Sequence, residues 1–337
     1  MPFSKTLRRS LRFVCVSLTV CIAYCLVDSV IYQTKPIDGR FIKAAMPCQN
    51  GAWLRYYWYR GKHGEQEWLA MLERLNLHKI RYAYFHVLGV NPDGKLAYHQ
   101  PKEAKQITSR VHQHCPNTLC IAWVYVPSDY GREGVNLSQP ATREALHAEA
   151  KWLIEECGFD GVQWDYEFAP NGDTRFLNFL SESRARIPRD KLLSVATPMS
   201  YPMTLYGWND AYFKEVAPYV DQLAVMSYDS FLYLPRAYGG LVARQVVNVA
   251  KDVQQTNPDC RVIIGLPTYE DRTLAHQSAC ESFANSLRGF EQGLRDYASV
   301  KTGDQQKGTE NLEGVAIFAD YTMDDDEWKL FDQAVRK

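Results

Sequence analysis

The chain has 337 residues, 46% apolar and 23% charged, which suits one large packed domain or two small ones. Its formal charge of −1 excludes the broad basic field of a nucleic-acid-binding protein. Aromatic residues reach 13%, with 21 Tyr and 8 Trp, a large supply of the rings on which sugars stack.

At the N-terminus Lys5, Arg8, Arg9 and Arg12 precede an apolar run from Phe13 to Val27, which Asp28 interrupts. A basic flank before such a run predicts a secretory signal or an uncleaved signal anchor, and disfavours a buried core helix. Residues 1–32 are therefore expected to be the signal or anchor, 33–49 a linker and 50–337 the folded domain. Either form exports the domain, which is then secreted, periplasmic or membrane-anchored outside the cytoplasm; an uncleaved segment makes the membrane a partner. Cys15, Cys21 and Cys25 lie in the apolar run. Cys48, Cys115, Cys120, Cys157, Cys260 and Cys280 remain, an even count that permits disulfides but equally fits buried thiols.

From Ala52 the chain alternates. Strands are predicted at 52–59, 80–88, 119–126, 161–168, 192–198, 222–228, 261–267 and 314–320, each followed by a stretch readable as a helix. In "ATREALHAEAKWLIEECG", Leu146, Ala150, Leu153 and Ile154 form one stripe at helical spacing. The least distinct helix is "WNDAYFKEVAPY", after the fifth strand. Eight such alternations predict a (β/α)8 barrel of the TIM type. Turns from helix to strand are short ("GFD", "PRD", "NPD"), whereas strand-to-helix loops such as "PSDYGREGVNLSQP" are long. Long loops at the strand C-termini build the working face of such barrels. The other architecture considered, an open doubly wound sheet, lacks any glycine-rich phosphate loop after a strand.

The fourth strand, "GVQWDYEF", alternates two faces. Val162, Trp164 and Tyr166 suit packing against helices, so Gln163, Asp165 and Glu167 point into the barrel, ascending toward its mouth. Two carboxylates two residues apart stand about 7 Å apart along a strand. Burying them together is costly unless one holds a proton, the arrangement that makes a general acid at neutral pH.

This stretch resembles the signature of glycoside hydrolase family 18, D-x-x-D-x-D-x-E. Asp160, Asp165 and Glu167 match it, and Gln163 stands where the middle Asp is usual. "VMSYD" (225–229), "VIIGLPTY" and "GVAIFADYTMDD" resemble its last three barrel strands, with Phe318 where Trp is common. The third strand departs, "AWVYVPS" replacing S-x-G-G. The resemblance implies substrate-assisted hydrolysis of N-acetylhexosamine glycans: chitin fragments, peptidoglycan or N-glycan cores. Glu167 would be the acid, Asp165 would orient the substrate acetamide, and Tyr228 would donate to its oxygen. Asp229, Met226, Gln163, Tyr201 and Phe318 would contact the sugar, Phe318 as an apolar floor. No cofactor or metal is implied. Because Gln163 removes one charge, Asp165 is expected to stay ionised more easily.

Three other readings stay open. A non-catalytic chitinase-like lectin would keep the barrel and typically lose Glu167. A two-carboxylate glycosidase would pair Glu167 with Glu270, just past the seventh strand. A purely structural envelope protein gives no reason for inward carboxylates. Tyr201, Tyr206, Trp208, Phe231, Tyr233 and Tyr238 crowd the loops after strands five and six, either for sugar stacking or for packing those loops. "DDDE" (324–327) suits the start of the last helix and lacks calcium-loop spacing.

Overall fold

The computed structural model describes residues 5–130, 133–201, 207–300 and 311–337. Eight parallel strands close in sequence order, the first pairing with both the second and the eighth. They are β1 Gly51–Leu54, β2 Tyr82–Gly89, β3 Leu119–Pro127, β4 Gly161–Glu167, β5 Leu192–Thr197, β6 Gln222–Met226, β7 Arg261–Pro267 and β8 Leu312–Phe318. Between them run α3 Glu65–Leu77, α4 Pro101–His114, α5 Pro140–Lys151, α6 Thr174–Arg186, α7 Asp210–Val216, α8 Pro235–Arg244, α9 Ala250–Thr256 and α10 Phe283–Val300. The helix α11 Asp325–Ala334 completes the ring, while α1 Lys5–Gln33 and α2 Gly39–Ala45 precede it. The barrel is the one expected.

Two cores result from the strand period of two. Outward strand residues such as Val162, Trp164, Leu193 and Val195 join residues of the helix ring such as Phe179 in one large apolar cluster. Inward residues Trp53, Tyr82, Tyr84, Ile121, Ala224, Ile263 and Ala316 form the other, inside the barrel. Gly265 makes room for Trp53, since a Cβ there would lie 3.1 Å from the indole and 3.0 Å from the Val225 carbonyl. The "DDDE" expectation holds: Asp324 accepts from the Asp326 and Glu327 amides, and the Glu327 carboxylate returns to the Asp324 amide.

The first strand is shorter than expected. Only residues 51–54 are extended; Arg55 to Lys62 coil into turns closed by Trp58 N–H to Arg55 and Arg60 N–H to Tyr56, with Gly61 at φ +60°. Trp58 is buried against Trp68 and stacks on His63 at 3.8 Å. Aromatic side chains that read as an alternating strand are here packing a loop onto α3. All nine cysteines are free, and the six beyond α1 are buried.

Within the stretch read as a linker, residues 39–45 form the helix α2. Asp38 caps α2 through the Phe41 amide, and Ile42 is fully buried in the outer core.

Candidate active site

The inward face of β4 carries a ladder of polar side chains. Just before the strand, on the outward side that faces the helices, Asp160 accepts from the Cys120 amide and from His112 at 2.8 Å, tying β4 to β3 and α4 at the closed end. Gln163 is fully buried inside the barrel. Its Oε1 accepts from Trp53 Nε1 at 2.7 Å and its Nε2 donates to Ser194 Oγ at 3.0 Å. Ser194 passes its own hydrogen to Gln222 Oε1, which also accepts from the Tyr84 phenol. The line ends at Glu313, held by the Tyr82 phenol at 2.8 Å.

One step higher, Asp165 is buried, and its Oδ2 accepts from Trp123 Nε1 at 2.8 Å. Its Oδ1 is buried with no hydrogen-bond partner among the described residues. Burial first, and the nearby Glu167 second, push the Asp165 carboxyl well above the usual range; Trp123 works the other way. Gln163 spares Asp165 one repulsion from below, yet burial still favours its protonated form. Removing one neighbouring charge does not offset the loss of solvent around the other. Glu167, at the end of the strand, is only partly buried and lines the cleft.

That cleft, about 370 Å³, sits over the C-terminal ends of β4, β5 and β6. Phe168, Met199, Tyr201, Met226, Tyr228, Asp229 and Phe231 line it with Glu167. Tyr228 is buried, and its phenol is pushed well up by burial and then by Asp165, Glu167 and Asp229. Phe318, at the end of β8, stacks on Tyr228 at 5.0 Å and also meets Tyr269, Trp53 and Trp123 edge-on within 6.1 Å. Every site residue named from sequence thus lies at the mouth except Gln163, which supports the others from below.

Asp229 occupies a left-handed backbone position, φ +56°, one that asparagine and aspartate tolerate best after glycine. Glu281, wholly buried, accepts from the Asp229 and Ser230 amides, the Ser230 hydroxyl and His276. Tyr269 donates to Asp229 Oδ1 at 2.8 Å and stacks on His276. This buried carboxylate fixes the loop after β6 from the loop after β7.

Sequence reasoning missed Trp53, Trp123, Tyr269, His276 and Glu281. Trp123 was within reach, since Trp123 and Tyr125 share one face of β3; the other partnerships depend on register between strands far apart in sequence. Glu270 is exposed and lines a separate depression with Arg272 and Glu327, not the cleft that holds Glu167. Trp208 and Tyr238 are fully buried and pack their loops, whereas Phe231 and Tyr233 are exposed at the rim. Tyr206 lies outside the described residues.

The family model for glycosyl hydrolases family 18 matches residues 53–335. The chain belongs to that family. As a family 18 member it is a glycoside hydrolase. Among solved structures, the C-terminal domain of a putative chitinase from Desulfitobacterium hafniense is 17% identical with a TM-score of 0.57, over 86% of this chain and 98% of that one. A chitinase from Bacteroides thetaiotaomicron is 15% identical at 0.57, over 85% and 95%. The spore cortex-lytic enzyme SleL of Bacillus cereus is 12% identical at 0.57, over 85% and 74%. At such identities the likeness is one of fold. No curated protein matches the chain.

Proposed function

We propose that this family 18 chain hydrolyses β-linked N-acetylhexosamine glycans by a substrate-assisted, retaining reaction. The observation that carries the reading is the ladder on β4, in which a buried Asp165 stands behind Glu167 and Glu167 alone of the three reaches the cleft. Glu167 gives its proton to the glycosidic oxygen as that oxygen leaves the anomeric carbon. The substrate's acetamido oxygen bonds to the same carbon, forming an oxazolinium ion without a protein nucleophile. Asp165, held by Trp123, orients the acetamide N–H with its Oδ1; it releases its proton to water in the cleft as the ring turns positive, and the carboxylate left behind balances that charge. Water then opens the ring, and Glu167 takes up its proton.

Tyr228 keeps its proton across the working pH range because its phenol is raised, so it remains a donor to the acetamido oxygen. Asp229 meets a sugar hydroxyl, Met226 and Tyr201 wall the sugar, and Phe318 lies beneath it with Tyr228. Gln163 holds Trp53 and the floor in place. Glu270 takes no part.

The chitinases and the cortex-lytic enzyme among the similar structures favour chitin fragments or peptidoglycan as substrate. N-glycan cores carry the same acetamide. The helix Phe13–Gln33 is long and apolar enough to cross a membrane, which favours action outside the cytoplasm.

Glu167→Gln tests the reading. Turnover of an aryl chitobioside should fall by about 10²–10⁴-fold while binding of the chito-oligosaccharide is largely kept. Glu270→Gln should change little. Loss of activity in the Glu270 variant alone, with Glu167→Gln active, would overturn it.

A further inference from the structure

The apolar helix α1 does not end in a free linker. Asp28, one residue past the apolar run, grips Arg236 with both oxygens, at 2.8 Å from Nε to each and 2.7 Å from Nη2 to Oδ1. Tyr32 is buried over Gly239, where any Cβ would collide with its phenol. Gln33 donates to the Ala279 carbonyl, and Arg288 donates to that of Lys35. Further on, Gly39 packs against Gln333 and Ala334 at the end of α11.

These contacts give the helix a direction. Arg236 lies in the first turn of α8, which leaves the loop carrying Tyr228 and Asp229, so Asp28 sits at the mouth of the barrel. Gly39 meets the last turn of α11, at the closed end. The chain therefore descends the flank, and Phe13–Val27 projects beyond the catalytic mouth, about 22 Å at 1.5 Å per residue. All its large apolar side chains are exposed.

The rim next to this exit is apolar as well. Tyr233 is 57% exposed, Leu234 42% and Leu274 79%, and the Tyr233 phenol donates to the Leu274 carbonyl, joining the loops after β6 and β7. Tyr233 and Leu234 lie within three residues of Arg236, hence at the level of Asp28, where a bilayer interface holds tyrosine well.

We propose that α1 is a retained anchor that turns the catalytic mouth toward the bilayer, with Tyr233, Leu234 and Leu274 resting on it, and that the cleft acts on a lipid-linked N-acetylhexosamine glycan. The substrate half rests on the function proposed above; the orientation does not. A span with basic residues on its far side and a barrel clamped to its near end allows the cleft little other approach. Glycan presented on the same membrane reaches it at high local concentration.

The full chain in phosphatidylcholine vesicles with brominated acyl chains tests the orientation. Tyr233, Leu274 or, in the closed-end turn before β7, Asp259 is replaced by a fluorescent amino acid. Quenching at 233 and 274 but not at 259 is expected; quenching at 259, or at none of the three, overturns the proposal. The same vesicles carry a chitobiose glycolipid, with a soluble aryl chitobioside outside. The wild type should prefer the glycolipid by at least about tenfold, and Asp28→Arg should lose that preference while still cleaving the soluble substrate. Asp28→Arg with Arg236→Asp should restore it. Equal preference in wild type and Asp28→Arg overturns the substrate half. Cleavage of neither substrate by the wild type counts against the proposed function, and the quenching then still decides the orientation.

Discussion

At position 165 a carboxyl group is enclosed by the barrel, faces a second carboxyl on the same strand, and has one indole donor. Burial and Glu167 raise it above its ordinary value of 3.8, so the folded protein holds a proton there that the unfolded chain has released. The sign follows from linkage: where the folded state binds more protons, stability falls as pH rises. The window opens near 3.8 and extends upward to the raised value. Asp165→Asn removes this dependence. Its melting temperature should exceed that of the wild type by a margin that widens from pH 4 to pH 8, even as turnover drops. A constant or shrinking margin in thermal melts across that range would contradict the assignment. Stability given up at Asp165 matches what the proposed reaction needs, a carboxyl that ionises fully only when a positive ring forms beside it.

The strand β4 was the most legible element in the sequence. Its period of two separated Val162, Trp164 and Tyr166 from Gln163, Asp165 and Glu167, and the structure places the two sets as that period requires. The partners of the inward set were not legible. Trp53 and Trp123 lie 110 and 42 residues from the groups they meet, and only the closed register of β1 to β4 brings them there. The same register explains Gln163. Ser194 spends its only hydrogen on Gln222, so the group beneath it must donate, while Trp53 needs an acceptor. An amide does both; an ionised carboxylate does not. Gln163→Asp, which restores the residue usual in the family, should therefore destabilise this chain by about 2 kcal/mol, leaving a buried lone pair facing another. Denaturant unfolding of the variant measures it, and an unchanged midpoint would show that the ladder can reverse its donors. The misread first strand has the same origin as the missed tryptophans: beyond Leu54 the aromatic run continues because Trp58 packs on Trp68 of α3, a contact that local sequence does not encode.

Across the whole molecule, repeated strand–helix units and long loops at one end were enough to predict the barrel and its working face, because those features follow from chain connectivity alone. The route of α1 down the flank was not predictable, since it depends on Arg236 and Gly239 meeting Asp28 and Tyr32 across more than two hundred residues. What the barrel brings together is a mouth lined by the partly exposed Glu167, the buried Asp165 behind it, and a phenol at Tyr228 that stays protonated. The central claim is that the substrate's own acetamide attacks. It is tested most directly by a series of aryl glycosides whose 2-acyl group is acetamido, fluoroacetamido, difluoroacetamido or trifluoroacetamido. Each fluorine makes the acyl oxygen a poorer nucleophile while barely changing the leaving group. The turnover number should fall steeply and steadily along the series, and the 2-hydroxyl analogue should not be cleaved. A flat series, with the 2-hydroxyl compound hydrolysed at a comparable rate, would contradict the account.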